Sequence, residues 1–336
     1  MNAEKLEKLK VNIASKAPAW VFHVSVFFYS IYKNITMPEI KRKFGEENPD
    51  KTFFVIRLFP PATGFLANYN YVLGYMRYAL NKGYIPVVDM QNYETLYTEK
   101  KAVHGTRNVW EYYFEQPLDV KSGKRYSLEE VYRSKNVILS NGSMQLYDFT
   151  GDKQTIEWQC EMSKLVPFNN ITKEYIQNKI NEQIPQDINL IGVPTRGSEQ
   201  KKRVIGHPIP VTAKELVPIL HQRLEQWKHG GKKSALFIKA EEQETIDFLK
   251  QEFQGKIYYT KATRIKDYNA NTDMPASNAN TSISRYQSTL EYLTDIYILS
   301  TCDSIIGSMN NGLYTALIWN GNKYSNVEII DKGRYK

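Results

Sequence analysis

The stretch that decides the fold runs from Thr294 to Gly312 and reads TDIYILSTCDSIIGSMNNG. An amphipathic helix leads into a short apolar strand, and the strand ends in small polar residues that open a second apolar helix. In α/β folds, a turn of this kind at the carboxyl end of a parallel strand binds phosphate groups. The stretch therefore predicts a parallel sheet with an anion-binding turn formed by Ser308, Asn310, Asn311 and Gly312.

Around this stretch, apolar strands alternate with amphipathic helices through the second half of the chain. Such alternation is typical of a doubly wound parallel sheet. The predicted strands are Asn189–Val193, Ala235–Ile238, Ile257–Tyr259, Ser304–Ile306 and Val327–Ile330. The predicted helices are Thr212–Lys228, Glu242–Phe253, Thr289–Ser300 and Leu313–Trp319.

The first half shows the same alternation. The strand Phe53–Phe59, the helix Leu66–Asn81 and the strand Ile85–Met90 form a unit that implies parallel strands, with Gly83 capping the helix. A further strand is predicted over Asn136–Gly142 and a helix over Thr172–Gln183.

These patterns predict an α/β protein with two Rossmann-like domains facing a cleft. The domains cover residues 46–186 and 187–336, and a basic amphipathic segment covers residues 1–45. Residues 266–288 are rich in Asn, Ser and Thr, and are predicted to form a long mobile loop over the cleft.

The composition describes a globular chain of 336 residues with a formal net charge of +8. The charge favours anionic partners, such as a phosphorylated substrate or an anionic membrane. The lysines are spread along the chain and no nucleic-acid-binding signature is present, so we exclude nucleic acid as a partner. Cys160 and Cys302 are interpreted as reduced core residues of a cytosolic protein.

A long apolar run extends from Ala17 to Tyr32, with lysines on both sides. It is shorter than the roughly 20 residues that cross a bilayer. The part from Trp20 to Tyr32 is either an interfacial anchor with aromatic and cationic flanks or a helix packed on the body of the protein. In the first case, we expect a cytoplasmic protein held peripherally at the inner face of the plasma membrane.

Several common motifs are absent from the sequence. We find no Gly-x-Gly-x-x-Gly, no P-loop, no Gly-x-Ser-x-Gly and no His-Glu-x-x-His. No Asp-x-Asp pair follows a predicted strand, where it would hold a divalent metal. We therefore expect no metal and no bound cofactor, and most hydrolase chemistry is disfavoured.

Two candidate sites follow the first predicted strand of the second half. Arg196 and Gly197 come shortly after Val193, where an arginine suits bidentate binding of a phosphate. The alternative is a surface arginine paired with Glu199. His207 either contacts a phosphate or a ribose, or is a packed loop histidine.

Two further candidate sites belong to later elements of the second half. Glu241 and Glu242 follow the strand Ala235–Ile238 and either bind a ribose or a base amine, or favour the dipole of the next helix. Asp295 either orients the arginine or the loop of the site, or is a solvated helix acid.

In this order, the sites resemble the motifs of the fucosyltransferase-like superfamily of glycosyltransferases. The family includes nodulation α1,6-fucosyltransferases, protein O-fucosyltransferases and enzymes of bacterial surface-polysaccharide clusters. Its first motif reads His-x-Arg-Arg/Gly-x-Asp after a strand, and Arg196 matches the arginine that binds the donor β-phosphate. Its second motif, Ala-Thr-Asp-Asp/Glu, corresponds to Glu241 and Glu242. Its third motif, Asp-x-x-x-Leu-Ser followed by a strand and Ser-Ser, corresponds to Asp295 and Asn310–Asn311.

The resemblance implies a GT-B fold and a metal-independent, inverting transfer of fucose from GDP-fucose to a glycan. The pieces Pro86–Asp89 and Asn108–Phe114 are similar to those of bacterial polysaccharide members, which implies a lipid-linked acceptor of surface-polysaccharide synthesis. Asp89 and Glu111 are the candidates for the base that activates the acceptor hydroxyl.

Two other functions remain open, and a third is disfavoured. The chain could use another nucleotide sugar with the same fold. It could be a non-catalytic carbohydrate-binding relative, because several motif letters differ. A Rossmann-type oxidoreductase or epimerase is disfavoured by the missing glycine fingerprint.

Overall fold

The structure is a computed structural model that describes residues 38–58, 64–141, 152–195, 208–228, 231–264 and 283–335. The predicted N-terminal segment from Trp20 to Tyr32 lies outside these residues. Within them, no helix is both long enough and apolar enough to cross a membrane. Cys160 and Cys302 are free thiols, and burial raises the pKa of the Cys302 thiol.

Strands in the described ranges form two sheets and one short ribbon. In chain order they are β1 (Ile40–Arg42), β2 (Phe53–Ile56), β3 (Ile85–Val88), β4 (Leu118–Asp119), β5 (Lys124–Arg125), β6 (Val137–Leu139), β7 (Ile188–Pro194), β8 (Lys233–Lys239), β9 (Ile257–Tyr258), β10 (Ser304–Gly307) and β11 (Asn326–Ile329).

Helices cover both sheets. In chain order they are α1 (Phe65–Asn81), α2 (Leu128–Val131), α3 (Lys153–Lys164), α4 (Asn170–Gln183), α5 (Ala213–Gln226), α6 (Gln243–Glu252), α7 (Arg285–Thr301) and α8 (Asn311–Asn320). A 3₁₀ turn covers Val109–Tyr112.

The first sheet has the strand order β1-β6-β2-β3. Strands β6, β2 and β3 are parallel, and β1 is antiparallel at the edge. All four residues of β2 are buried, as expected for a strand that is covered on both faces. Helix α1 connects β2 to β3, which confirms the predicted strand–helix–strand unit.

The second sheet has the strand order β11-β10-β7-β8-β9, and its strand pairs are all parallel. Pro194, which ends β7, lies opposite Lys239, which ends β8. Gly192 lets α7 pack closely on β7, because a Cβ there would lie 2.9 Å from Leu299 Cδ2. The two sheets confirm the α/β class that the sequence predicts.

The loop predicted over residues 266–288 extends too far, because α7 begins at Arg285. Ser284 caps this helix, and its hydroxyl oxygen accepts the Gln287 N–H at 3.1 Å. Serine is common both in loops and at helix N-caps, so a polar stretch that ends in serine hides the start of a helix. Residues 265–282 lie outside the described part of the chain.

A single hydrophobic cluster joins residues of both halves of the chain. Trp319 Nε1 in α8 donates to Tyr69 Oη in α1 at 2.9 Å. Asn70 Nδ2 in α1 also donates to Thr315 Oγ1 in α8, at 3.4 Å. Helix α8 connects β10 to β11 of the second sheet but packs on a helix of the first, which couples the two sheets. The domain boundary near residue 186 stays a prediction.

Candidate functional site

The centre of the candidate site is the start of α8, directly after the carboxyl end of β10. Asn310 caps the helix: its Oδ1 accepts the Leu313 N–H at 3.0 Å, and its Nδ2 donates to Ser308 O at 2.9 Å. The buried Ser308 hydroxyl accepts the Val211 N–H at 3.0 Å. The first N–H groups of a helix have no acceptor within it and carry the positive end of its dipole. The turn therefore has the geometry of an anion site, and binding of an anion there stays a prediction.

Gly312, in the first turn of α8, packs closely against α7. A Cβ at this position would lie 3.0 Å from Ile296 Cδ1, 3.1 Å from Asn310 Oδ1 and 3.4 Å from Tyr292 Oη. Glycine thus allows two helices to approach each other and brings the Tyr292 hydroxyl next to the helix start.

A buried lysine, Lys239, ends β8 and was not predicted as a site residue. Its Nζ donates to Glu241 Oε1 at 2.9 Å and lies 4.8 Å from the centre of the Tyr292 ring. The Thr195 N–H and hydroxyl both donate to Lys239 O at 2.9 Å, which fixes the end of the strand. Because Tyr292 also borders Gly312, one tyrosine separates the ammonium from the helix start. The sequence signal that could have identified Lys239 is a charged residue at the end of an apolar strand.

The two glutamates after β8 have different surroundings. Glu241 is hydrogen-bonded to Lys239. Glu242 occupies the N-cap position of α6, although its side chain makes no capping hydrogen bond. Both residues are half-buried. The contact with a nucleoside that the sequence motif implies stays a prediction for both.

Asp295 is buried in α7, so it is not the solvated helix acid that was one alternative. Its Oδ1 accepts the Thr260 hydroxyl at 2.5 Å. Burial raises the pKa of this carboxyl to about 6, whereas the hydrogen bond from Thr260 and the charges of Arg264 and Lys239 lower it. Asp295 is therefore a buried acid held by one hydroxyl and two nearby cations.

Arg264 supplies one of these charges and was not predicted from the sequence. Its Nη1 donates to Ala262 O at 3.1 Å, and its guanidinium carbon lies 5.3 Å from the centre of the Tyr259 ring. Its Nε and Nη2 are buried and have no hydrogen-bond acceptor in the described part of the chain. Burial lowers the pKa of this guanidinium. Arg264 lies in a polar stretch after β9, where no sequence pattern distinguishes it.

Asp89, one candidate for the base, directly follows β3 and is fully buried. Its carboxylate accepts the Tyr132 hydroxyl at 2.5 Å and Asn92 Nδ2 at 2.9 Å. It also accepts the backbone N–H groups of Gln91 at 3.0 Å and Asn92 at 2.8 Å. The carboxylate is thus surrounded by donors from its own loop and from the end of α2.

Glu111, the other candidate, is half-buried beside the same strand end. Its carboxylate accepts the Thr106 hydroxyl at 2.8 Å and Gln116 Nε2 at 2.7 Å. The Gln116 side chain also bonds the N–H and the carbonyl of Val88, each at 2.9 Å. Gln116 therefore ties Glu111 to the last residue of β3, and the structure brings both candidates to one strand end.

The loop after β3 also contacts the second half of the chain. His104 Nε2 lies 2.9 Å from Tyr286 Oη. Glu99 Oε1 accepts the Tyr286 N–H at 2.8 Å, and Tyr113 Oη donates to Tyr286 O at 3.2 Å. These contacts join the segment that contains Glu111 to α7, the helix that carries Asp295.

Arg196, Gly197 and His207 lie outside the described residues, and their roles stay predictions. The described residues on either side of this gap are Thr195 and Pro208. Across the ranges that the structure describes, no group of three or more His, Cys, Asp or Glu residues could hold a metal ion.

Neither a protein-family model nor a curated protein matches the chain. Solved fucosyltransferase structures are similar to it. NodZ α-1,6-fucosyltransferase co-crystallized with GDP is 13% identical with a TM-score of 0.48, over 76% of this chain and 87% of that chain. POFUT1 in complex with GDP-fucose is 11% identical with a TM-score of 0.42, over 84% and 99% of the two chains.

Another NodZ structure, from Bradyrhizobium, has the same TM-score of 0.48 at 12% identity, over 76% of this chain and 88% of that chain.

Proposed function

We propose that the chain is a metal-independent, inverting glycosyltransferase that transfers a sugar from a nucleoside diphosphate to a glycan. The observation that carries the proposal is the start of α8 at the carboxyl end of β10, with the Lys239 ammonium on the other side of Tyr292. A helix start beside a buried cation favours a multiply charged anion over a neutral ligand. A nucleoside diphosphate is the anion that departs when a nucleotide sugar reacts.

The proposed reaction makes and breaks one bond at the anomeric carbon. The acceptor hydroxyl oxygen bonds to this carbon while the bond to the diphosphate oxygen breaks, and the hydroxyl proton passes to a base. The diphosphate leaves with the bonding electron pair, and protein groups must stabilise its charge where no metal does so. The N–H groups at the start of α8 and Lys239 suit this task, and the sequence motif adds Arg196.

We assign the base to Glu111 rather than to Asp89. The base must be close enough to the acceptor hydroxyl to take its proton. The Asp89 carboxylate is fully buried and already accepts hydrogen bonds from Tyr132, Asn92 and Gln91, so a sugar hydroxyl would have to displace one of them. Glu111 is half-buried, with one described partner on each carboxylate oxygen. A further hydroxyl therefore finds room at Glu111.

The finer assignments follow from the motif resemblance. We propose GDP-fucose as the donor, residues 187–336 as the donor domain and residues 46–186 as the acceptor domain. The acceptor is a lipid-linked repeat of a bacterial surface polysaccharide. The segment from Trp20 to Tyr32 holds the cytoplasmic enzyme at the inner face of the plasma membrane.

A donor panel tests the proposal. The purified chain is mixed with GDP, UDP, CDP and dTDP sugars, with and without EDTA, and its melting temperature and sugar transfer to glycans are measured. We expect stabilisation by one nucleotide, unchanged by EDTA, and transfer that is lost in Arg196→Ala while the melting temperature is kept. Stabilisation without transfer would instead indicate a non-catalytic carbohydrate-binding relative, and no stabilisation by any nucleotide would overturn the proposal.

A further inference from the structure

Lys239 carries a buried charge that Glu241 only partly satisfies. The ammonium group has three N–H donors, and a buried charge needs partners for them. Among the described residues, the hydrogen-bond acceptor of Nζ is Glu241 Oε1 at 2.9 Å. The ring of Tyr292 covers a second side, with its centre 4.8 Å from Nζ. The ammonium therefore keeps donor capacity at the strand edge.

The two partners differ in how far they are exposed to solvent. The exposed fraction of the Lys239 side chain is 7%, whereas that of the Glu241 side chain is 28%. Hydrogen bonds from Thr195 to the Lys239 carbonyl fix the lysine backbone at the end of β8. Glu241 lies beyond the end of β8 and is half-buried. An incoming anion can therefore displace the glutamate from the ammonium while the lysine stays in place.

The position of Lys239 indicates which anion this is. Tyr292 borders both the Lys239 ammonium and Gly312 in the first turn of α8, so the cation and the helix start flank one side chain. A diphosphate can span two neighbouring positive groups, whereas a single carboxylate cannot. The second motif of the family that the sequence resembles contains no lysine, so this cation is a feature of the present chain.

We propose that Lys239 binds the diphosphate of the donor and that Glu241 holds the ammonium in place until the diphosphate replaces it. This role of Lys239 rests on the proposed function, and it adds a phosphate-binding residue that the motifs do not contain. It also gives Glu241 a different task from the one that the motifs imply. As the counter-ion of Lys239, Glu241 competes with the diphosphate. In the role that the motifs imply, Glu241 would instead bind the ribose or the base of the nucleoside.

A series of ligands that differ only in phosphate number separates these roles. Binding of guanosine, GMP and GDP, or of the same series for the nucleotide that the donor panel selects, is measured by calorimetry. Lys239→Met is expected to weaken diphosphate binding about 10- to 100-fold and to leave nucleoside binding unchanged. Glu241→Gln is expected to leave nucleoside binding unchanged and to strengthen diphosphate binding several-fold.

Lys250→Met is the matched control. Lys250 lies in α6 of the same half, is exposed, and stands over the Tyr259 ring at 5.6 Å, so its removal should change none of the three affinities. Circular dichroism checks the fold of each variant. If Lys239→Met does not fold, Lys239→Arg and Glu241→Gln are compared instead for nucleoside and diphosphate binding. The arginine keeps the positive charge of Lys239.

Three results would overturn the proposal. The first is an equal loss of nucleoside and diphosphate binding in Lys239→Met, and the second is no loss of either. The third is weaker nucleoside binding in Glu241→Gln, which would assign Glu241 to the nucleoside. If the wild-type chain binds no diphosphate of any series, the proposed function fails and this role fails with it.

Discussion

The Thr260 hydroxyl donates to Asp295 Oδ1 at 2.5 Å in the interior of the second half of the chain. This hydrogen bond joins the segment after β9 to the middle of α7. Because Asp295 is buried, its pKa rises to about 6 even though Arg264 and Lys239 lie near enough to lower it. Helix α7, which packs against Gly312 at the start of α8, therefore carries a buried acid with a pKa of about 6.

Asp295→Asn is expected to change how stability depends on pH. The unfolded carboxyl ionises near its usual pKa of 3.8, but the folded one does so only near 6. The contribution of the protonated Asp295 carboxyl to stability is therefore fully present below about pH 4. This contribution is lost as the pH rises to the folded pKa. Between these limits the wild type should lose up to about 3 kcal/mol relative to Asp295→Asn. Urea unfolding of both proteins from pH 4 to pH 7 measures the difference, and parallel curves would contradict the prediction.

Arg264→Met is expected to raise the pKa of Asp295 further, because the positive charge of Arg264 lowers it. The effect of Asp295→Asn on the free energy of unfolding is measured with Arg264 present and with Arg264→Met. With Arg264→Met, this effect should level off at a higher pH. Arg133→Met is the control, since Arg133 pairs with Glu47 and Glu129 in the first half. Equal end points in the two backgrounds would rule out coupling between Arg264 and Asp295.

Gly312→Ala tests the close contact at the start of α8. The new Cβ would press on Ile296 Cδ1 and Asn310 Oδ1, so we expect diphosphate affinity to fall about tenfold. Alanine favours helix by up to about 1 kcal/mol, which offsets the crowding in the free energy of unfolding. Gly64→Ala, at the N-cap of α1, is the control because a Cβ there meets nothing within 4 Å. Unchanged affinity in Gly312→Ala would count against this turn as the phosphate site.

Asn310→Ala and Ser284→Ala form a matched pair of cap deletions. Each removes a side-chain oxygen that accepts a helix N–H, from Leu313 at 3.0 Å and from Gln287 at 3.1 Å respectively. Both should lower the free energy of unfolding by about 1 kcal/mol. Only Asn310→Ala should also weaken diphosphate binding, because only its helix start belongs to the site. Equal binding by the two variants would remove Asn310 from the site.

Glu111→Gln should lower the rate of sugar transfer at least about 100-fold, since a glutamine cannot take the acceptor proton. Donor affinity should stay unchanged, which distinguishes loss of the base from loss of the donor site. Asp89→Asn should instead lower the free energy of unfolding by about 1–3 kcal/mol, because the amide nitrogen replaces an acceptor oxygen. Either the Tyr132 hydroxyl and Asn92 Nδ2, which share Oδ2, or the N–H groups of Gln91 and Asn92, which share Oδ1, lose their acceptor. Full transfer by Glu111→Gln, with Asp89→Asn inactive but stable, would move the base to Asp89.

The parallel strands of both sheets and most helices could be predicted because their signals are local. Strand β2 is a continuous apolar run, and α5 begins with the capping box of Thr212 and Glu215. Helix α3 was not predicted, since it buries only Thr155, Ile156 and Gln159 and so has a weak apolar periodicity. Packing against α8 and α1, which follow or precede it at a distance in the chain, stabilises this helix.

The sequence by itself determined the order of strands and helices along the chain and the small polar turn after β10. Periodicity and capping act over a few residues, so they can be recognised locally. Only the tertiary structure decided that Lys239 lies on Tyr292 and that Thr260 bonds to Asp295. Such contacts join residues far apart in the chain, so no local pattern contains them. The raised pKa of Asp295 has the same origin, since the carboxyl leaves water only when α7 packs on the sheet.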